Sequence, residues 1–421
     1  MSDGINKTTP PIEALTPGMS PAAVSGQRPG ANHGADFSQV LAGARQTAPA
    51  TSAKPPANRW SSLSFLASET ATRRSSWPWT YSDLNRLLET TNATNAALPA
   101  TETAAPAVNR PSDAFLYPAQ PLTLADYPRP TGDNGMGIHW IPTVRQTPEV
   151  VDKFVAEAVD MGMKWVLFLN EGTNTTDNDY LIEQLTQAGI EPMMRIYTPG
   201  LQPIEGDLQG MVEHYTDLGV RYFQLYNEPN LMVETGGQFP DVDHYLDLWI
   251  PAAKAVIAGG GLPGLGALSP QGEMDDRQYL RDSLVGLQAR GELGLLNRSW
   301  LAMHNYTGPR AMDDPDGFKR FQQYDQIIRG AIGRSIPIIG TEGGTHITEH
   351  VSEAQQVAMV TDAYRYMREQ REPYNFAYTY WIIANGHDSA WDEHALIRSD
   401  GPTALAQALK QEAANRRQAH R

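Results

Sequence analysis

Residues 148–171 read PEVVDKFVAEAVDMGMKWVLFLNE. The first part places Val151, Phe154, Val155 and Ala158 on one helical face. Thr147-Pro148-Glu149 opens it with a cap residue, a proline suited to the first helical position and an acid near the positive helix pole. Gly162, just past the last apolar residues, is the stop signal. The last part, Trp165–Asn170 (WVLFLN), is apolar on both faces, as suits a parallel strand covered by helices. A helix feeding such a strand is the repeating unit of an α/β fold.

The unit recurs along the chain. Further short apolar runs are Met136–Trp140, Pro192–Tyr197, Tyr222–Asn227 and Leu265–Ser269. Trp300–Tyr306, Pro337–Thr341 and Phe376–Ile383 complete a set of eight. Amphipathic stretches separate them, and Gly189 closes one as Gly162 closes another. The starts lie roughly 25–40 residues apart and the set spans about 250 residues, as expected of a (β/α)₈ TIM barrel. An open doubly wound sheet is the competing arrangement, because spacing alone does not show closure.

Composition changes near residue 115. Before it the chain is rich in Pro, Ala, Ser and Thr, as in TPGMSPAAVSG and TETAAPAVNRPS. Such stretches bury too little apolar surface to offset their ordering entropy. Residues 1–115 are therefore expected to be a largely disordered N-terminal region, and residues 116–421 the barrel. Two short helices are expected within that region, at Asp36–Arg45 and Tyr81–Thr90, and Trp77–Trp79 (WPW) is expected to be a local aromatic anchor rather than a segment that docks on the barrel or binds a partner.

The net charge of −15 disfavours a nucleic-acid partner and says little about a neutral one. Residues 1–115 hold nine Lys/Arg and eight Asp/Glu, so the acidity belongs to the rest of the chain. With no cysteine, disulfides, thiolate catalysis and cysteine metal sites are excluded. No run reaches the ~18 apolar residues of a membrane helix, so no membrane insertion is expected. The opening MSDGINKTTPPIE lacks the basic and apolar regions of a secretory signal. A cytoplasmic protein, or one exported by a non-standard route, fits that reading. A monomer is expected.

In a barrel the reactive groups gather at the C-terminal ends of the strands. Those ends are His139-Trp140, Asn170-Glu171, Arg195-Ile196-Tyr197, Asn227-Glu228-Pro229-Asn230, His304-Asn305-Tyr306, Thr341-Glu342-Gly343-Gly344 and Tyr380-Trp381. Carboxylates, imidazoles and aromatic rings at one mouth suit sugar chemistry, whereas phosphate chemistry would call for Gly-rich loops and basic residues. Breaking a glycosidic bond asks for two carboxyl groups, one to protonate the leaving oxygen and one to attack carbon or activate water. Repulsion between two such groups would raise the pKa of one and help it stay protonated until it acts.

YNEPN ending the fourth run, GTEGG ending the seventh, HNY on the sixth and a tryptophan ending the eighth resemble the clan A glycoside hydrolases, most closely the family 39 and family 5 groups. The resemblance covers roughly residues 130–410. It implies a retaining hydrolase of a poly- or oligosaccharide, with Glu228 as general acid/base, Glu342 as nucleophile and no metal or organic cofactor. Asn227 would bind the sugar 2-hydroxyl, and Tyr306 would hydrogen-bond Glu342 and help keep it ionised. His304 would line the site, and Trp381 would stack on the sugar. The chain departs from family 5 where an arginine is expected near the end of the second strand. Asn170-Glu171 stands there, and Arg195 is the candidate substitute. His139 is a further candidate contact, and Tyr197, Trp140 and Trp391 are candidate outer platforms. The alternative reading is a barrel that binds carbohydrate without cleaving it.

Three motifs are set aside. His346-Ile347-Thr348-Glu349-His350 has inverted zinc-protease spacing but no helix around it. Gly259, Gly261 and Gly264 match a dinucleotide fingerprint by count, yet lead into a strand. Asp314–Gly317 lacks the spaced ligands of a calcium loop and reads as a turn.

Overall fold

The computed structural model describes residues 120–385 and 389–419. The expected N-terminal region, its two short helices, Trp77–Trp79 and the boundary at residue 115 lie outside them. Eight parallel strands close into a barrel in sequence order: β1 (Met136–His139), β2 (Trp165–Glu171), β3 (Glu191–Tyr197), β4 (Tyr222–Leu225), β5 (Leu262–Leu268), β6 (Trp300–Tyr306), β7 (Ile338–Gly344) and β8 (Asn375–Tyr380). The pairing of β1 with β8 supplies the closure that spacing could not. The open sheet is excluded.

Helices follow the strands: α1 (Pro148–Met161), α2 (Asp179–Gln187), α3 (Leu208–Leu218), α4 (Val242–Ala258), α5 (Asp276–Ala289), α6 (Phe321–Ile332), α7 (Glu353–Glu369) and α8 (Ala404–Ala419). Helix α1 buries Val151, Phe154, Val155 and Ala158, and Gly162 ends it with φ 78°. Thr147 sits at its cap without making a side-chain cap hydrogen bond; Pro148, whose missing N–H costs nothing there, does the starting. A two-stranded hairpin, β9 (Ile397–Arg398) with β10 (Gly401–Pro402), precedes α8.

Inside the barrel, Trp165, Leu167, Met193, Tyr222, Trp300, Ala302, Ile339 and Phe376 fill the lower space. The chain before β1 closes the floor. Tyr127 is 3% exposed and donates to the Ser299 carbonyl at 2.8 Å, and Leu122 and Leu124 pack beside it. Only the upper end stays open to side chains from the strand tips.

β1, β2 and β3 differ from their expected limits by one residue; β4, β5, β7 and β8 depart further, β8 ending at Tyr380 rather than Ile383. β5 starts at Leu262 and so includes Pro263, Gly264 and Gly266. A Cβ on Gly264 would lie 2.7 Å from the Trp300 ring, so the glycine there serves close packing rather than a phosphate. β4 stops at Leu225 because Tyr226 and Glu228 take left-handed φ values of 64° and 38°, which cannot continue a ladder. β7 runs on through Gly344, three residues beyond its expected end.

The β7 extension contains a bulge. Ala302 pairs with Ile339 and Met303 with Gly340, but His304 pairs with Glu342, so Thr341 is an extra residue. Ile339 faces the barrel interior. Strict alternation would then point Thr341 inward; the bulge resets the phase and turns Glu342 in beside His304.

Candidate active site

Glu228 is held by its backbone before its side chain is considered. Its N–H donates to the Ala267 carbonyl at 3.1 Å, and its own carbonyl accepts from Leu231 at 2.9 Å. Asn230 clamps the same turn to the end of β5, donating to the Ser269 carbonyl at 2.8 Å and accepting from the Ser269 N–H at 3.0 Å. Ala267 itself has φ 54° and lies at a register shift in β5. Non-glycine residues in this region cost on the order of 1–3 kcal/mol each and persist where the surroundings dictate them.

Glu342 is fixed from the opposite side. A Cβ on Gly343 would meet the Tyr378 ring at 2.8 Å and the Asn305 carbonyl at 2.9 Å, so only glycine lets the strand lie this close. Gly344 has φ 132°. Arg195, from β3, donates to Glu342 Oε1 at 2.8 Å, and Tyr306 Oη donates to Oε2 at 2.8 Å. All three side chains are buried or nearly so.

His304 links the two carboxylates. Its Nδ1 lies 2.8 Å from Glu228 Oε1 and 3.7 Å from Glu342 Oε2. One oxygen of each glutamate and a ring nitrogen of His304 fall within 4.8 Å of one another. Burial pushes the Glu228 carboxyl up, but His304, Ser269 and Arg195 outweigh it and hold it below the usual glutamate range. Burial pulls His304 down, and Glu342 and Glu228 outweigh that, raising it. Both directions favour a proton on His304 over one on Glu228.

Glu228, His304 and Glu342 could by composition hold a cation. Their atoms are already engaged: Arg195 and Tyr306 take the oxygens of Glu342, and His304 takes Glu228. A metal ion would also sit beside the Arg195 guanidinium. The arrangement suits a charge-balanced carboxylate pair better than a metal cage.

The remaining expected residues divide by position. A cavity of about 410 Å³ opens over the barrel, lined by Arg195, Asn227, Glu228, Tyr306, Glu342 and Trp381 among others. Tyr197 and Trp391 also line it. His304 lies beneath the two carboxylates, 0% exposed, rather than on the cavity wall. His139 is equally buried; its ring supports Trp381 at 4.3 Å, and burial lowers it to about 4. Trp140 packs edge-on to Phe154 in the helix layer and binds Gln146, so it is no platform.

Asn227 Nδ2 donates to Glu234 Oε1 at 2.8 Å. Glu234 is a third carboxyl of the cavity wall that the sequence reading missed. Burial raises it to about 7, against the pull of Arg195 and with the push of Glu228.

The set-aside motifs have structural explanations. Thr348 and Val351 bridge across a turn, so His346–His350 forms no helix, and His350 is exposed. Gly259 caps α4. The Asp314 carboxylate accepts from the Asp316 N–H at 2.8 Å, closing a turn.

No protein-family model matches the chain, and no curated protein matches it. Solved structures do. A family 39 glycoside hydrolase from the gut symbiont Bacteroides cellulosilyticus WH2 aligns with 68% of this chain at 15% identity and TM-score 0.47; the match spans 64% of that chain. A family 128 (subgroup II) endo-β-1,3-glucanase from Pseudomonas viridiflava aligns with 66% at 17% identity and TM-score 0.46, spanning 97% of that chain. A family 51 α-L-arabinofuranosidase from Bifidobacterium longum aligns with 70% at 12% identity and TM-score 0.46, spanning 74% of that chain.

Proposed function

We propose that the protein is a glycoside hydrolase that cleaves O-glycosidic bonds of a poly- or oligosaccharide with retention of configuration. The observation that carries the reading is the opposed pair Glu228 and Glu342, with oxygens and a shared histidine nitrogen inside 4.8 Å. A separation of about 5–5.5 Å between carboxyl groups goes with double displacement, and roughly 6.5–9.5 Å with inversion. The close approach favours the former.

In the first step Glu342 Oε attacks the anomeric carbon while the leaving oxygen takes a proton from Glu228, so the C–O bond to the departing sugar breaks as the ester forms. The proton reaches Glu228 from His304 Nδ1, 2.8 Å away. In the second step Glu228 removes a proton from water, which attacks the same carbon and releases Glu342. Arg195 and Tyr306 orient the Glu342 oxygens throughout, and Asn227, tethered by Glu234, faces the sugar 2-hydroxyl.

Glu342→Ala tests the reading on aryl glycosides. Its activity should fall by at least ~10³-fold, and added azide should restore part of it, giving a glycosyl azide of inverted configuration. Oligosaccharide binding with no hydrolysis by the unaltered protein would instead establish the silent binding barrel.

A further inference from the structure

One wall of the cavity contains polar ring atoms that the proposed steps do not use. His346, four residues past Glu342, packs on His394 with ring centroids 4.1 Å apart. Its other neighbours are Tyr306 at 5.9 Å and Tyr380 at 5.2 Å. His346 and His394 line the cavity. His346 Nε2 and His394 Nδ1 are buried and have no hydrogen-bond partner among the described residues, and neither does Trp381 Nε1 on the adjoining wall. Buried polar atoms are nearly always paired, so three unpartnered atoms on residues that line one cavity point to a ligand or water that completes them.

The donor and acceptor roles follow from the neighbours. Gln356 Nε2 donates to Tyr380 Oη at 3.1 Å, which leaves the tyrosine proton for His346 Nδ1 at 3.1 Å. His346 then carries its own proton on Nε2, an unused donor. His394 Nε2 lies 3.8 Å from Glu393 Oε1, and with the proton on that nitrogen Nδ1 is an unused acceptor. A donor and an acceptor on adjoining rings match one chemical group, a hydroxyl, which accepts and donates at once.

We infer that His346 and His394 form a hydroxyl-reading subsite for a neutral sugar unit on the Glu342 side of the cleft. The inference rests on the proposed reading of the site and names its substrate class. The subsite touches the unit that stays bonded to the protein, because His346 follows Glu342 in the chain and its ring packs on Tyr306, which holds Glu342. Burial keeps both imidazoles below the usual histidine range, His394 at about 4 with Arg398 adding to the effect. They therefore present neutral donors and acceptors at ordinary pH. Glu228, Glu234, Glu342, Glu349 and Glu393 line the cavity against Arg195 and Arg310. That balance repels a uronate.

The test compares neutral and uronic-acid oligosaccharides on a glycan array with the full chain carrying Glu342→Gln, which reads binding without turnover. Neutral glycans should bind and uronic-acid glycans should not. His346→Phe and His394→Phe, which keep a ring and remove the nitrogens, should each weaken binding about tenfold, the loss of one hydrogen-bonding group. His346→Gln and His394→Asn, which restore a donor and an acceptor at those positions, should recover most of it and guard against misfolding of the phenylalanine variants. Preferred binding of uronic-acid glycans, unchanged affinity in both phenylalanine variants, or binding of no glycan overturns the subsite. Hydrolysis is read separately on aryl glycosides with Glu342 restored. Neutral-glycan binding that depends on the histidines, without hydrolysis, sinks the catalytic reading and leaves the subsite standing.

Discussion

Arg195 balances the buried charge of Glu342. Its side chain is 5% exposed and that of Glu342 8%, with 2.8 Å between them. Removing one member of such a pair leaves the other buried and uncompensated, at a cost of about 3–5 kcal/mol. Arg195→Leu should therefore lower the denaturant midpoint strongly. Adding Glu342→Gln in the same chain should return most of the loss, and the double-variant cycle measures it without any substrate. At this scale the sequence disclosed the residues whose types are distinctive at strand ends: Glu228, Glu342, His304, Tyr306 and Arg195 all meet in one place. Glu234 and His394 were hidden. A single acid seven positions after Asn227 and a histidine beyond the eighth strand follow no periodicity, and only the folding-back of their loops brings them to the cavity.

Strand limits were legible where alternation is regular and lost where it breaks. β6 has the expected limits, Trp300–Tyr306, because its inward residues alternate without interruption. β4 and β7 differ because left-handed residues end the one and an inserted residue rephases the other. Bulges leave no mark in composition. Deleting Thr341 should restore strict pairing with Glu342 directly after Gly340, inward and still beside His304, so turnover should persist while far-ultraviolet circular dichroism still reports the barrel. The start of β3 offers a different test. Burial raises Glu191 to about 7, with Arg221 opposing and Asp133 adding to the shift. A carboxyl whose folded value exceeds its unfolded value of about 4.5 favours the fold most below 4.5, and that stability is lost as pH rises through 7. Glu191→Gln should leave thermal unfolding unchanged at pH 4 and raise the midpoint at pH 8, by the equivalent of about 1–3 kcal/mol.

Across the whole molecule, the described lining of the cavity runs from Arg195 to His394. Removing residues 1–115 should consequently leave kcat/KM on an aryl glycoside within about twofold of the full chain, the scatter of substitutions away from a site. A larger loss in a truncated protein with an unchanged melting temperature would show that the segment serves the site. Among the described residues no helix is long and apolar enough to cross a membrane.

The sealed floor at Tyr127 has a consequence for traffic. With its lower end closed, the barrel admits and discharges at the strand tips, so on the proposed reading the departing fragment must clear the entrance before a water molecule can take its place. A long fragment that lingers would be rejoined, or exchanged for another alcohol at the threshold, and added short alcohols should divert part of the product into new glycosides.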